Sequence, residues 1–208
     1  MITKITKKRK PNLRKIQAEK RRLQILDTAI SVFAARGFAN TSIKDLADAA
    51  GISSGLMYHY FTGKEKLLEA AVQHNSFLPQ LRALLKDTGH QPYQKVLKNI
   101  AVRFVNLLDE KNEIFMIFLQ EGFTNANVQK VWSNLANEGI SLLKRYIADC
   151  IAAGELRDHD PEVTARCLFS IIIAFQLTKD IFKTSQVTRT QFIDTAIDNL
   201  LCGIKRIQ

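Results

Sequence analysis

Apolar residues recur along this chain at intervals of three and four, the spacing that lines one face of an α-helix, and strand-like alternation is scarce. Ile16, Leu23, Leu26, Ala29, Ile30 and Phe33 hold that period until Arg36-Gly37-Phe38, where Gly37 is a helix stop. Thr41 and Ser42 then offer N-caps. Ser42 with Asp45 fits a capping box that opens a short helix, Ile43 to Ala50, closed by Gly51. Ser53 or Ser54 caps a second short helix to about Tyr60, and Thr62-Gly63-Lys64-Glu65 opens a longer one, Lys64 to about Leu85. Long helix, short helix, glycine turn, short helix is the order of a helix-turn-helix, which presents its second short helix to the DNA major groove.

Asp87 to Pro92 reads as a loop, and Tyr93 to about Asp109 as an amphipathic helix. Asn112 to Glu121 is apolar enough for a buried helix, Gly122 to Asn127 breaks it, and Val128 to Ala153 is a long helical pattern closed by Gly154. Asp160-Pro161, a cap with proline at the first helical position, starts a helix to about Lys183. Thr188 with Gln191 opens the last one. The pattern predicts an all-α protein: a flexible basic arm over 1–14, a three-helix helix-turn-helix domain over 15–66 and a helical C-terminal domain over 67–208.

Composition leaves this picture intact and charge sharpens it. The chain of 208 residues is 46% hydrophobic and 24% charged, as in ordinary globular proteins. Its net charge of +10 is concentrated at one end. Residues 1–22 hold Lys4, Lys7, Lys8, Arg9, Lys10, Arg14, Lys15, Lys20, Arg21 and Arg22 against Glu19 alone, leaving 20 basic and 19 acidic residues elsewhere. A near-neutral body with a basic arm suits a polyanion, and nucleic acid or an anionic membrane surface would both answer to it.

Cys150, Cys167 and Cys202 are odd in number and far apart, with no metal-ligand spacing, so neither a disulfide framework nor a metal site is expected and the setting is cytoplasmic. No apolar segment of a secretory signal follows the basic N-terminus. The longest apolar runs, such as Cys167 to Leu177, are short for a bilayer, and the arm lacks aromatic anchors, so no membrane partner is expected. His59, His74, His90 and His159 lie in unrelated segments without a nucleophile motif or phosphate loop, so an enzyme is not expected, nor a cofactor.

Tyr58, His59, Tyr60 and Phe61 stand in a row, and four consecutive rings cannot share one face of a helix. Ile43, Leu46, Ala47 and Ala50 give the first short helix an inward face, and Ile52, Met57 and Phe61 close the core from the second. Ser53, Ser54, Gly55, Leu56, Tyr58, His59 and Tyr60 remain on or near the outside. Small hydroxyls and a glycine allow close approach to a sugar-phosphate backbone, phenol and imidazole groups hydrogen-bond to phosphates or base edges, and Leu56 suits a thymine methyl. Lys64 in the first turn of the next helix conflicts with the helix dipole unless an anion is held there.

Thr41 to Ala70, TSIKDLADAAGISSGLMYHYFTGKEKLLEA, closely resembles the signature of the tetracycline-repressor (TetR) family of bacterial transcription regulators. The resemblance rests on the hydroxyl pair, Leu46-Ala47, Ala50-Gly51, the Ser-x-Gly opening, Tyr58-x-Tyr60-Phe61 and Lys64-Glu65-x-Leu67. Gly154 to Glu162 and the helix after it also look like that family's C-terminal half. The resemblance implies a homodimer of roughly nine-helix subunits that reads a palindromic operator on double-stranded DNA as a ligand-responsive regulator, most simply a repressor released by an effector. Carried over residue by residue, phosphate contacts fall on Thr41 or Ser42, Ser53, Tyr58, Tyr60 and Lys64. Base-proximal positions fall on Lys44, Ser54, Gly55, Leu56 and His59. Ser54, Gly55 and Leu56 read bases poorly, which shifts specificity to Lys44, His59, the arm and DNA shape.

Two further expectations concern the C-terminal domain. Leu168, Ile171 and Ile172 on one helix and Phe192, Ile193, Ala196, Ile197, Leu200, Leu201 and Ile204 on the last form stripes wide enough to pair across a two-fold axis as a four-helix bundle. Large side chains are also abundant there, most of them core by default; with the family resemblance, Phe104, Leu108, Phe115, Phe118, Phe123, Trp132, Phe169, Phe175 and Gln176 are candidates to line a cavity for a small apolar or aromatic effector. The alternative is a DNA-binding adaptor controlled by a protein partner, which a fully packed C-terminal core would favour.

Overall fold

The structure, a computed structural model, describes residues 13–89, 91–179 and 187–204. Among these are ten helices: α1 Leu13–Arg36, α2 Ile43–Ala49, α3 Ser54–Tyr60, α4 Lys64–Asn75, α5 Leu78–Lys86, α6 Tyr93–Glu110, α7 Asn112–Glu121, α8 Ala126–Ala152, α9 Pro161–Thr178 and α10 Arg189–Ile204. The chain forms two compact units, one ending at Ala71 and the other starting at Val72. The basic arm lies, but for Leu13 and Arg14, outside the described residues, as does His90.

In the N-terminal unit α1 packs on α2 and α2 on α3. Ile25, Leu26, Ala29, Ile30 and Phe33 of α1 are buried, as are Leu46, Ala47, Met57 and Phe61. Phe33 and Phe38 bring their rings to 5.3 Å across the end of α1. Gly37 (φ 80°) and Gly51 (φ 65°) make the two turns in the left-handed region, where a side chain would strain the backbone.

The count exceeds the expected nine because the predicted helix from Lys64 to Leu85 is broken. Pro79 sits in the first turn of α5; in a continuous helix its ring would meet the carbonyl of Asn75. Ser76 secures the break, donating through Oγ to the Gln73 carbonyl (2.8 Å) and accepting from the Leu78 amide (3.3 Å).

The C-terminal unit is a bundle in which α9 packs against α6, α8 and α10. Its ends form as the sequence predicts: Asp160 caps α9 by accepting from the Glu162 amide (2.8 Å), and Thr188 and Gln191 exchange bonds ahead of α10. Asn125 caps α8 through Oδ1 at the amides of Asn127 and Val128, so α8 begins two residues before the expected Val128. α9 ends at Thr178 with Lys179 as its C-cap, short of the expected Lys183; residues 180–183 lie outside the described residues.

By length and composition α9 is sufficient to cross a bilayer, correcting the expectation that no run is long enough; in the bundle it packs against three other helices and keeps one face accessible. The expected dimer stripe also needs correction. Leu168, Ile172, Ile193, Ile197, Leu201 and Ile204 are buried in the subunit's own core, leaving Ile171, Phe192, Ala196 and Leu200 partly accessible. The stripe is wide because each helix has neighbours on more than one side.

Candidate nucleic-acid interface and apolar cavity

The row of rings divides as helical geometry requires. Phe61 is buried, Tyr60 is half-buried, and His59 and Tyr58 are exposed, the last by 56%. Ser53 caps α3 by accepting the Leu56 amide at Oγ (3.2 Å) and stays exposed, as do Gly55 and Leu56; Ser54 is half-buried. A methyl group added at Gly55 would meet only Ser53 Oγ, at 4.0 Å, so this face is open to close approach. Lys44 on α2 is exposed as well.

Two of the carried-over phosphate positions are otherwise engaged. Thr41 is buried, and its Oγ1 donates to the Gly37 carbonyl at 2.6 Å, which fastens the turn after α1. Of the pair Thr41 or Ser42, only Ser42 faces solvent. Its amide donates to Asp45 Oδ2 (2.8 Å) and its Oγ accepts from the Asp45 amide (3.1 Å), closing the predicted capping box. The Ser42 hydroxyl and amide hold the Asp45 carboxyl below its ordinary pKa. Lys64 is half-buried and donates to the Phe38 carbonyl at 2.8 Å, a partner that sequence spacing does not reveal.

One part of this surface was missed. The rest of the N-terminal basic run, over residues 15–22, belongs to α1, where Lys20 and Arg21, with Gln17, Ala18 and Gln24, share a groove with Leu56 and Tyr60 of α3. The charge run was the available signal. Its helical phase, which turns Lys20 and Arg21 toward α3, follows from the inward set Ile25, Leu26, Ala29 and Ile30 on the same helix. Arg22 instead lies over the Phe61 ring, 5.5 Å from its centre. Exposed hydroxyl, phenol and imidazole groups beside two cations make a surface suited to phosphates and base edges.

The C-terminal unit contains a cavity of about 380 Å³, bounded by α5 to α9 and the end of α4, with walls that are almost entirely carbon. Phe104, Leu108, Phe115, Phe118, Phe123, Trp132 and Phe169 line it as anticipated. The rings interlock: Phe118 is 5.0 Å from Trp132 and 5.1 Å from Phe123, and Phe104 meets Phe169 edge-on at 5.1 Å. Phe175 and Gln176 do not line it. Phe175 stacks on Phe192 at 4.9 Å, joining α9 to α10, and Gln176 is buried with Nε2 3.4 Å from Asp109 Oδ1. The polar lining comes instead from Asn75, Ser76, Lys111, Gln129 and Ser133. Trp132 Nε1 is buried and without a hydrogen-bond partner among the described residues. Cys150 lies in the core outside this cavity, and burial pushes its thiol above the ordinary range, away from thiolate chemistry.

Comparison with known proteins places both units. Residues 25–71 match the model of bacterial regulatory proteins of the tetR family, and residues 95–202 match that of the AefR-like transcriptional repressor C-terminal domain. The HTH-type transcriptional repressor KstR2 of Mycolicibacterium smegmatis is 28% identical over 141 residues, covering 60% of this chain and 67% of that protein. Its counterpart in Rhodococcus jostii is 49% identical over 49 residues, 24% of either chain. Among solved structures, Salmonella enterica GusR shares the fold with a TM-score of 0.72 and 23% identity over 88% of this chain and 94% of its own. A complex of SmeT with triclosan gives 0.72 at 19% identity over 90% and 92%. With a C-terminal match spanning more than half its length and the helix-turn-helix match before it, the chain belongs to the TetR family: it is a DNA-binding transcriptional regulator and not an enzyme.

Proposed function

We propose that this protein is a ligand-responsive repressor that binds a palindromic operator as a homodimer and leaves it when a small apolar molecule fills the C-terminal cavity. The observation that carries the DNA reading is the exposed face of α3, with Tyr58 and His59 outward and Lys20 and Arg21 beside Leu56 and Tyr60. Ser42, Ser53, Tyr58 and Tyr60 take phosphates. Lys44, Ser54, Gly55, Leu56 and His59 face base edges, and Lys44 favours guanine. Lys64 acts one step back, holding the turn before α2.

For the dimer, α9 leaves Val163, Ala174 and Leu177 exposed and Cys167 and Ile171 partly so, one stripe at helical spacing, and α10 adds Ala196 and Leu200. A second copy covering these residues would form the four-helix bundle from a narrower set than the sequence suggested. The cavity supports a small-molecule effector over the adaptor reading, because a protein-controlled adaptor has no need of apolar space inside its core. SmeT, of the same fold, is found with triclosan, a precedent for an apolar effector. Such a repressor works in the cytoplasm, where the chromosome is.

The test is selection of duplexes from a randomised pool, followed by the mass of the complex with the enriched sequence. An inverted repeat bound by an even number of protomers is expected, and His59→Ala should relax the enriched half-site. Enrichment of no sequence, or of a single half-site bound by one protomer, contradicts the proposal.

A further inference from the structure

We infer that the cavity takes an apolar acid, a molecule with a hydrocarbon body and a carboxylate, rather than a neutral or cationic compound. The inference rests on the effector reading above and deepens it. The walls are carbon, and among the described residues Lys111 is the one charged side chain lining them, with no Asp or Glu beside it. A cationic ligand would lose its hydration with no counter-charge to meet it, whereas an anion finds one. Lys111, between α6 and α7, is solvent-exposed, and so is Phe123 at 75%, so both mark where the cavity reaches solvent. A carboxylate at Lys111 therefore keeps part of its hydration while the hydrocarbon enters.

The Trp132 ring lines the cavity, while its indole nitrogen is buried away from the open space. Asn75, Ser76, Gln129 and Ser133 add polar atoms but no charge.

The experiment uses the full chain and a neutral apolar dye, N-phenyl-1-naphthylamine, displaced at neutral pH by decanoate or by 1-decanol, which match in chain length and differ in charge. Trp132, the chain's single tryptophan, gives a second signal through its own emission. Decanoate should displace the dye roughly tenfold more tightly than decanol and shift the tryptophan emission. Lys111→Gln should remove most of that preference, read as the ratio of acid to alcohol affinity within the same variant. Equal displacement by acid and alcohol, or an unchanged preference in Lys111→Gln, overturns the acid assignment and leaves the cavity reading standing. Failure of the dye itself to bind overturns both.

Discussion

The ammonium of Lys64, at the first position of α4, donates to the carbonyl oxygen of Phe38 at 2.8 Å and lies 4.4 Å from the centre of the Phe38 ring. One side chain thus ties the start of α4 to the turn that leads into α2, 26 residues earlier. A cation in the first turn of a helix is unfavourable in isolation. Here a carbonyl dipole and a ring face compensate it.

Lys64→Met keeps the apolar stem over the ring but removes the donor. The helix-turn-helix unit should lose about 1–2 kcal/mol, the worth of a charge-assisted hydrogen bond with a cation–π contact. Urea unfolding followed by tryptophan-independent circular dichroism measures this. The salt dependence of DNA binding should be unchanged in slope. Unaltered stability with a slope lower by about one phosphate contact would make Lys64 a direct ligand instead.

Gly139 lies buried on α8 against the cavity wall, and a methyl group there would meet Leu78 at 3.7 Å and the Phe169 ring at 3.8 Å, ordinary contact distances. A helix-interior glycine costs about 0.5–1 kcal/mol relative to alanine. Gly139→Ala should raise the melting temperature by roughly 2–4 °C per kcal/mol gained. A fall in melting temperature would mean that the backbone at this point needs glycine for a reason other than space.

Asp109 holds the end of α6 to both sides of the 180–186 segment: Oδ1 accepts from Lys179 (2.7 Å), and Oδ2 pairs with Arg189 at the start of α10. Partial burial raises its pKa, but the Lys179 hydrogen bond and charge, Gln176 and Arg189 outweigh it and hold the carboxyl below its ordinary value. A depressed folded-state pKa means a contribution that is full above the unfolded value near 3.9 and fades as pH falls through the folded one. Asp109→Asn should therefore melt below the wild type at pH 7, and the two should converge as pH drops from about 4 toward 2. A difference that persists undiminished at the acid end would assign the effect to packing.

How much of this was legible depended on whether the cause was local. Capping boxes at Ser42–Asp45 and Thr188–Gln191 and the Asp160 cap with Pro161 are written within four residues, and the corresponding helices start where those signals stand. The break at Ser76 was equally local, since Pro79 marks it, but the apolar period continues through it and outweighed the proline. Partners across the fold were not legible. Spacing along the chain does not reveal that Thr41 Oγ1 donates to the Gly37 carbonyl or that Lys64 Nζ donates to the Phe38 carbonyl. Aromatic residues announced a cavity, yet Phe175 and Phe104 are alike in sequence; only the neighbours decide that one stacks on α10 and the other lines the space.

The central claim, that α3 and the adjoining face of α1 lie against DNA, is tested most directly by the salt dependence of duplex binding for the wild type and for the double variant Lys20→Gln with Arg21→Gln. The logarithm of affinity should fall linearly with the logarithm of salt, and the double variant should lose about 1.8 from the slope, ~0.9 for each phosphate contact removed. An identical slope and affinity in the double variant would remove α1 from the interface, and no binding of any duplex at low salt would contradict the account as a whole.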